Sequence, residues 1–425
     1  MRYILLLSVF GLLAGPSARA QNPDRHIRQE RVLRDLTELS SDAMQGRRPL
    51  TPGIEKAATY ISAAFAKAGL KPLKADGSGH LQRFHTFQGV VKRQSLIIDG
   101  RAVPDSDYIA FPAAPELRWA GAGAEVVYIP AGGNPLQDVV RKVQGDKNLL
   151  LVADPSHRRS LERLRRASFK RLEGAGQVIL VYHPGKVGSY RAEVDAEMRK
   201  DAYANVVGMI RGRKRPEEMV LFSAHYDHLG IGKAVNQDSI YNGANDDASG
   251  TTAVMELARY FSRGRRPERT LVFAAFTAEE SGGYGSRFFS RQLDPGRVVA
   301  MVNIEMIGTE SKWGRNSAYV TGYEKSDLGR LMQESLEGTG FTFHPDPYPA
   351  QNLFYRSDNA TLAALGVPAH TVSTSKMDSE KYYHTVDDEV GTLDVANMTA
   401  IVRAIALSAR GFVSGRTTPS RVKPD

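Results

Sequence analysis

The 425-residue chain contains no cysteine. That one absence excludes disulfides, thiolate zinc sites, a cysteine nucleophile and lipid attachment through a cysteine. Any metal must be held by nitrogen and oxygen. Tryptophan is scarce, with two residues in all, and no apolar run after the first twenty positions approaches the roughly 20 residues that span a bilayer. An integral membrane protein is therefore not expected. The basic clusters at 158–166, 211–215 and 263–269 have no interleaved aromatics on which bases could stack, so nucleic acid is not an expected partner. Internal repeats and low-complexity tracts are absent, apart from a polar tail over 415–425.

The first twenty residues have the three parts of an export signal. Arg2 is basic, 4–14 is a short apolar stretch, and Ala18-Arg19-Ala20 suits a signal peptidase. The expectation is a signal peptide at 1–20, cleavage near Ala20, and a periplasmic or secreted product. The formal net charge of +9 would fall to +7 once Arg2 and Arg19 leave. With 42% hydrophobic residues, the remainder can bury one large core and a smaller one.

Two helices are expected near the start. One spans 24–39 with Ile27, Leu33, Leu36 and Leu39 on one face. The other opens at Thr51-Pro52 and stops at Gly69, with Ile54, Ala57, Ala58, Ile61 and Phe65 inward. Between them lies the polar loop Met44-Gln45-Gly46-Arg47. From 85 to 204 short β-like runs (95–98, 124–129, 148–152, 177–182) and one basic helical stretch, 158–172, suggest an inserted β-rich subdomain. After 205 the pattern becomes strand–helix alternation. Strands are expected at 205–210, 219–224, 270–276, 298–304, 318–321 and 369–373, and helices at 248–262 and 393–412. The predicted fold is α/β: a mixed, mostly parallel central sheet flanked by helices, built from 21–84 and 205–414.

Chemistry collects where these strands end, which is where open α/β sheets bind ligands. The strand at 219–224 runs into His225-Tyr226-Asp227-His228, and Asn245-Asp246-Asp247 follows closely. The strand at 270–276 leads to Glu279-Glu280 and that at 298–304 to Glu305, while Tyr383-His384 arrives late in the chain. Taken singly, a histidine after a strand, a Glu-Glu pair or an Asn-Asp-Asp turn is commonplace. Several such groups at strand ends together point to a hard-to-borderline metal site, of two ions.

These residues, in this order, resemble the M28-type metallopeptidases, which include bacterial dizinc aminopeptidases and carboxypeptidases related to glutamate carboxypeptidase. The matching pieces are His-x-Asp, Gly-x-Asn-Asp-x-x-Ser-Gly, Ala-Glu-Glu, Asn-x-acid-Met-Ile-Gly and Tyr-His-Thr. Arg356-Ser357-Asp358 with Gly366-Val367-Pro368 also fits, as does Met-Gln-Gly-Arg before the Thr-Pro-Gly helix. The resemblance implies a zinc-exopeptidase (phosphorylase/hydrolase-like) fold acting on peptide substrates, with two Zn2+ per chain and Co2+ or Mn2+ as alternatives.

It implies His225 and Glu305 on one ion, His384 and Glu280 on the other, and Asp246 bridging. Glu279 would be the general base, Asp227 the group that orients His225, Tyr383 an aid to carbonyl polarisation, and Arg356 part of the substrate site. The insertion resembles, more weakly, a protease-associated domain. Two positions depart from the pattern: Glu305 stands where aspartate is common, and Asn359 where histidine often is. His228 is additional, expected to hydrogen-bond in the pocket. The resulting expectation is an exported aminopeptidase. A glutaminyl cyclase-like single-zinc enzyme and a non-catalytic peptidase-like binding ectodomain are the alternatives.

Overall fold

The structure, a computed structural model, describes residues 22–74, 77–133, 135–166 and 169–423. The expected export signal at 1–20 lies outside the described residues. Among those described, no helix is long and apolar enough to cross a membrane.

One large mixed sheet organises the molecule. Its main strands are β1 (Leu81–Ile98), β2 (Tyr190–Ile210), β3 (Arg215–His225), β4 (Arg269–Phe276), β5 (Val298–Ile304), β6 (Ser317–Val320), β7 (Thr342–Pro345) and β8 (Ala369–Ser373), in the order β7-β6-β8-β5-β3-β4-β2-β1. The central run β8-β5-β3-β4 is parallel, and antiparallel pairing begins at β4–β2 and β8–β6.

Burial on both faces explains why β3 and β4 read as continuous apolar runs. Val220, Phe222 and Ala224 of β3, with Leu271, Phe273 and Ala275 of β4, face one core. That core is covered by helices α1 (Gln29–Leu39), α2 (Pro52–Lys67), α3 (Gly250–Ser262) and α5 (Val395–Ser408). The alternating residues Leu221, Val272, Ala274 and Phe276 face the other core, with Phe289 from α4 (Tyr284–Arg291). Helix α3 lies so close to the sheet that a Cβ on Gly250 would stand 2.2 Å from the Ile304 carbonyl oxygen.

Two local expectations change. The N-terminal helix begins at Gln29 after a separate turn at Pro23–His26, and Leu33 is exposed, because the buried face is formed by Val32, Leu36 and Leu39. The basic stretch 158–172 is not one helix. Two short turns, Arg158–Leu161 and Arg163–Arg166, precede a bridge strand at Arg171–Leu172 that pairs with β1.

The insertion grows out of the sheet without a break. β1 and β2 run antiparallel through the expected boundaries at 84/85 and 204/205 and continue outward as a long ribbon. Against that ribbon packs a separate four-stranded sheet, Tyr108–Phe111, Glu125–Ile129, Leu149–Ala153 and Val178–Tyr182. Leu150 and Val152 face the ribbon's Leu96, Ile98, Ala192 and Val194, while Leu149 and Leu151 face the insertion's own helices. Tyr284 of α4 donates its hydroxyl to the Lys170 carbonyl, so the insertion braces the helix that follows Glu279-Glu280.

A buried charge cluster ties the helical layer together. Glu256 of α3 accepts from Arg31 and Arg259, and Arg259 also pairs with Asp35 of α1; both carboxylates are fully buried. Glu256→Ala would leave two largely buried guanidinium groups short of counter-charge, and we expect it to cost about 3–5 kcal/mol of unfolding free energy. Urea unfolding of the purified variant checks this. A loss under about 1 kcal/mol would show that the cluster contributes little.

Candidate metal centre

The functional side chains stand on loops at the carboxyl edge of the parallel strands. His225 is the last residue of β3; Glu279 and Glu280 follow β4, and Glu305 follows β5. Asp246 lies in the irregular turn Ala244–Ser249 that leads into α3. His384 sits in a loop between β8 and α5, with its backbone at φ 56°.

Buried carboxylates fix the turn that carries Asp246. Asp388 accepts the Asn245 and Asp246 amides at 2.8 and 3.0 Å. Asp247 accepts the amides of His225, Gly250 and Met306, joining the β3 end, α3 and the β5 end. Asn245 and Ser249 accept the Gly308 and Ile307 amides. From the other side Arg47, only 1% exposed, donates to the carbonyls of Tyr226, Leu39, Asn242 and Gly243 at 2.5–2.9 Å. The polar N-terminal loop is therefore the clamp that holds the histidine loop and the aspartate loop together. Burial lowers the Arg47 pKa, while Asp388, Asp246, Asp227 and Asp247 oppose that by favouring its charge.

The side chains converge. His225 Nε2 lies 3.3 Å from Asp246 Oδ1, and His384 Nε2 lies 3.2 Å from both Asp246 Oδ2 and Glu280 Oε2. His228 Nδ1 is 2.9 Å from Glu280 Oε1. Asp246 thus presents one oxygen to each of two histidines, as a bridging ligand must. Glu305 makes no ion pair with an imidazole among the described residues, but it lines the same cleft as Asp246, Glu279 and Glu280. Tyr383 also lines it, with its ring stacked on His384 at 3.8 Å between centroids. Arg356 is exposed at the cleft's edge and donates to Gln351.

Three expectations need correction or sharpening. The Asp227 carboxylate does not hold the His225 ring: His225 Nδ1 is 3.1 Å from the Asp227 main-chain oxygen, while Oδ1 is 3.8 Å away and accepts the Glu279 amide. The tight His-Tyr-Asp turn puts the carbonyl nearer than the side chain, so Asp227 acts on the histidine through its backbone and on Glu279 through its carboxylate. Asn359 is fully buried, donating to the Phe354 and Ala369 carbonyls and accepting from Thr371; it fixes the loop and does not line the cleft. His228, expected as a pocket hydrogen-bonding group, does lie beside Glu280. The sequence assigns no role to Asp388 or Asp247; the acidic run four residues past His384 is the available signal for Asp388.

The donor set fits a pair of hard-to-borderline cations. His384 Nε2, buried between two carboxylate oxygens, has no hydrogen-bond partner, nor has Glu305 Oε2. Protons alone satisfy the group badly. Burial and the neighbouring carboxylates Glu305, Asp358 and Glu280 push Glu279 well above its usual range, against the pull of His225. His384 is raised to about 10, because Asp246 and Glu280 outweigh the opposing effect of burial.

Comparisons with known proteins bear on the family and the fold. Residues 205–409 match the model of "Peptidase family M28", a stretch that contains every expected ligand. That stretch of the chain is thus similar to the M28 peptidases. An aminopeptidase from Aneurinibacillus sp. strain AM-1 has a similar fold at 19% identity, with TM-score 0.54 over 94% of this chain and 96% of that one. BSAP, a zinc aminopeptidase from Bacillus subtilis, is similar at 17% identity, with TM-score 0.54 over 94% and 98%.

Among curated proteins, a probable zinc metalloprotease of Pyricularia oryzae is 35% identical over 32% of this chain and 27% of its own length. Another, from Leptosphaeria maculans, is 37% identical over 25% of each. The chain spans about a quarter of the length of these curated relatives.

Burial raises the carboxyls of Asp227 and Glu305 to about 7. A carboxyl raised above its unfolded value stabilises the metal-free fold at acid pH, and that contribution is lost as pH climbs through about 7. A bound cation needs the ionised form. Zinc should therefore raise the thermal midpoint more at pH 8 than at pH 5.5, measured by calorimetry with and without the metal. Equal stabilisation at both values would contradict this account.

Proposed function

We propose that the protein is a zinc-dependent exopeptidase, an aminopeptidase that removes N-terminal residues from peptides. The observation that carries this reading is the divergence of two adjacent glutamates. Glu280 is taken up by His384 and His228, whereas Glu279 makes no ion pair among the described residues and faces the cleft.

The bound cations would supply an activated water and polarise the scissile carbonyl. Glu279 is placed to take that water's proton and return it to the leaving amine, and Asp227 keeps it in register by accepting its amide. Tyr383, packed on His384, is positioned to donate to the developing oxyanion. The cleft's inner wall is acidic, with Glu279, Glu305 and Asp246, whereas Arg356 stands at its exposed edge. An acidic interior suits a substrate's terminal ammonium, with the rest of the peptide leaving past Arg356.

The inserted sheet is read as a protease-associated-like subdomain that supports α4 and contributes no ligand. The leader-like residues 1–20 favour export to the periplasm or medium. N-terminal sequencing of the natural product should begin near Gln21; a chain that retains Met1 would count against export.

Purified protein should release the chromophore from aminoacyl anilides and leave N-acetylated analogues intact. Glu279→Gln should lower turnover by at least about 100-fold with zinc content unchanged. Full turnover in that variant would remove Glu279 from the role of base, and cleavage of blocked substrates would argue against aminopeptidase action.

A further inference from the structure

His228 pairs with Glu280 in the peptidase reading above but is given no metal-binding role there, and its side chain is buried. It is 1% exposed. Its ring is pressed against the bare Cα of Gly243, where an added Cβ would come within 2.5 Å of the ring's Cδ2, and the backbone there has φ +56°. It meets the His384 ring edge-on at 5.7 Å.

Its Nδ1 lies 2.9 Å from Glu280 Oε1 and 3.8 Å from Asp246 Oδ2, the same two carboxylates that His384 Nε2 approaches at 3.2 Å. The two imidazole nitrogens thus approach the same oxygen of Asp246 and opposite oxygens of Glu280. Taken pair by pair, these imidazole–carboxylate separations of 2.9–3.8 Å lie near the about 3.3 Å that separates two donors on one tetrahedral zinc. His228, Asp246 and Glu280 also form a compact donor group by themselves.

We propose that His228 is a fourth protein donor to the cation on the His384 side, so that protein ligands alone close that site. The inference rests on the two-cation peptidase reading. It makes the two positions unequal. Four protein ligands are the mark of a structural zinc, whereas a catalytic zinc has three and keeps an open position. On the other side His225, Asp246 and Glu305 supply three, which leaves room there for substrate. The second imidazole also tilts the His384-side position towards zinc or cobalt and away from harder cations such as magnesium.

His228→Asn separates ligation from hydrogen bonding. The asparagine amide nitrogen sits close to where Nδ1 stands and can still donate to Glu280 Oε1, but it is a poor zinc ligand. His228→Ala removes both functions. Wild type and both variants are stripped with chelator, and thermal midpoints of the metal-free forms confirm that each is folded. Zinc stoichiometry and affinity are then measured by competition with a chromophoric chelator, and the visible spectra of the cobalt forms are recorded.

We expect two zinc equivalents in the wild type. In both variants the tighter site should weaken by more than the about 10–100-fold typical of losing an outer-shell partner. The cobalt bands of that site should shift as a nitrogen donor is lost. Wild-type affinity and an unshifted cobalt spectrum in His228→Asn would overturn the proposal and leave His228 as a hydrogen-bond donor to Glu280, with the peptidase reading intact. A wild type that takes up no zinc would overturn both.

Discussion

Negative charge that cannot be left unpaired is the constraint on which this structure turns. Asp227, Asp246, Asp247, Glu279, Glu280, Glu305 and Asp358 crowd together at one edge of the sheet, most of them withdrawn from water. Burying a carboxylate costs several kcal/mol unless hydrogen bonds or opposite charge compensate it. The fold compensates some of them with main-chain amides: Asp247 takes three and Asp388, just behind the cluster, takes two. Arg47 brings one permanent cation from the N-terminal loop. What remains on Asp246, Glu280 and Glu305 faces imidazoles and a shared space. A bound cation would complete a balance that these side chains leave open.

Rigidity follows from the same balance. Every amide spent on Asp247 or Asp388 belongs to a ligand loop or its flank, so pairing the charge also fixes the spacing of the ligands. The N-terminal residues, remote in sequence, are recruited for the same purpose: Arg47 spans the β3 exit and the aspartate turn. The charge cluster of Arg31, Asp35, Glu256 and Arg259 then fastens α1 to α3, the helix which that turn begins. A metal site needs ligands held to within a fraction of an ångström. Here that precision comes from charge compensation anchored on both flanks of the turn.

Much of this is legible in the amino-acid order itself. Apolar runs such as 219–224 and 270–276 mark strands buried on both faces, and the chemistry-bearing residues stand at their ends because side chains inside such strands have no access to a ligand. Pairings between residues far apart along the chain are not legible. Nothing local in Met44-Gln45-Gly46-Arg47 shows that its arginine will find four carbonyls, three of them about 180–200 residues away. Asp227 illustrates a finer limit. His-x-Asp spacing brings the two residues together, but backbone geometry decides whether carbonyl or carboxylate reaches the ring. The basic stretch 158–172 reads as helical because Arg and Leu are good helix formers, and tertiary pairing with β1 overrides that propensity at Arg171.

The cleft divides into a fixed half and an adaptable half, and the division follows the same logic. Apart from His384, which shares a loop with Tyr383, the expected ligands and their amide partners sit on strand ends and buried turns, where movement would break several hydrogen bonds at once. Arg356, Leu353, Met377 and Tyr383 instead belong to the segments that connect strands and helices around the cleft, and Arg356 and Tyr383 are exposed. Binding residues are commonly carried this way, on loops set against a rigid scaffold. Changes in the rim loops can therefore alter what the cleft admits without disturbing the charge balance beneath. A change at Asp247, Asp388 or Arg47 touches no substrate, yet it would release a ligand loop and unsettle the whole centre.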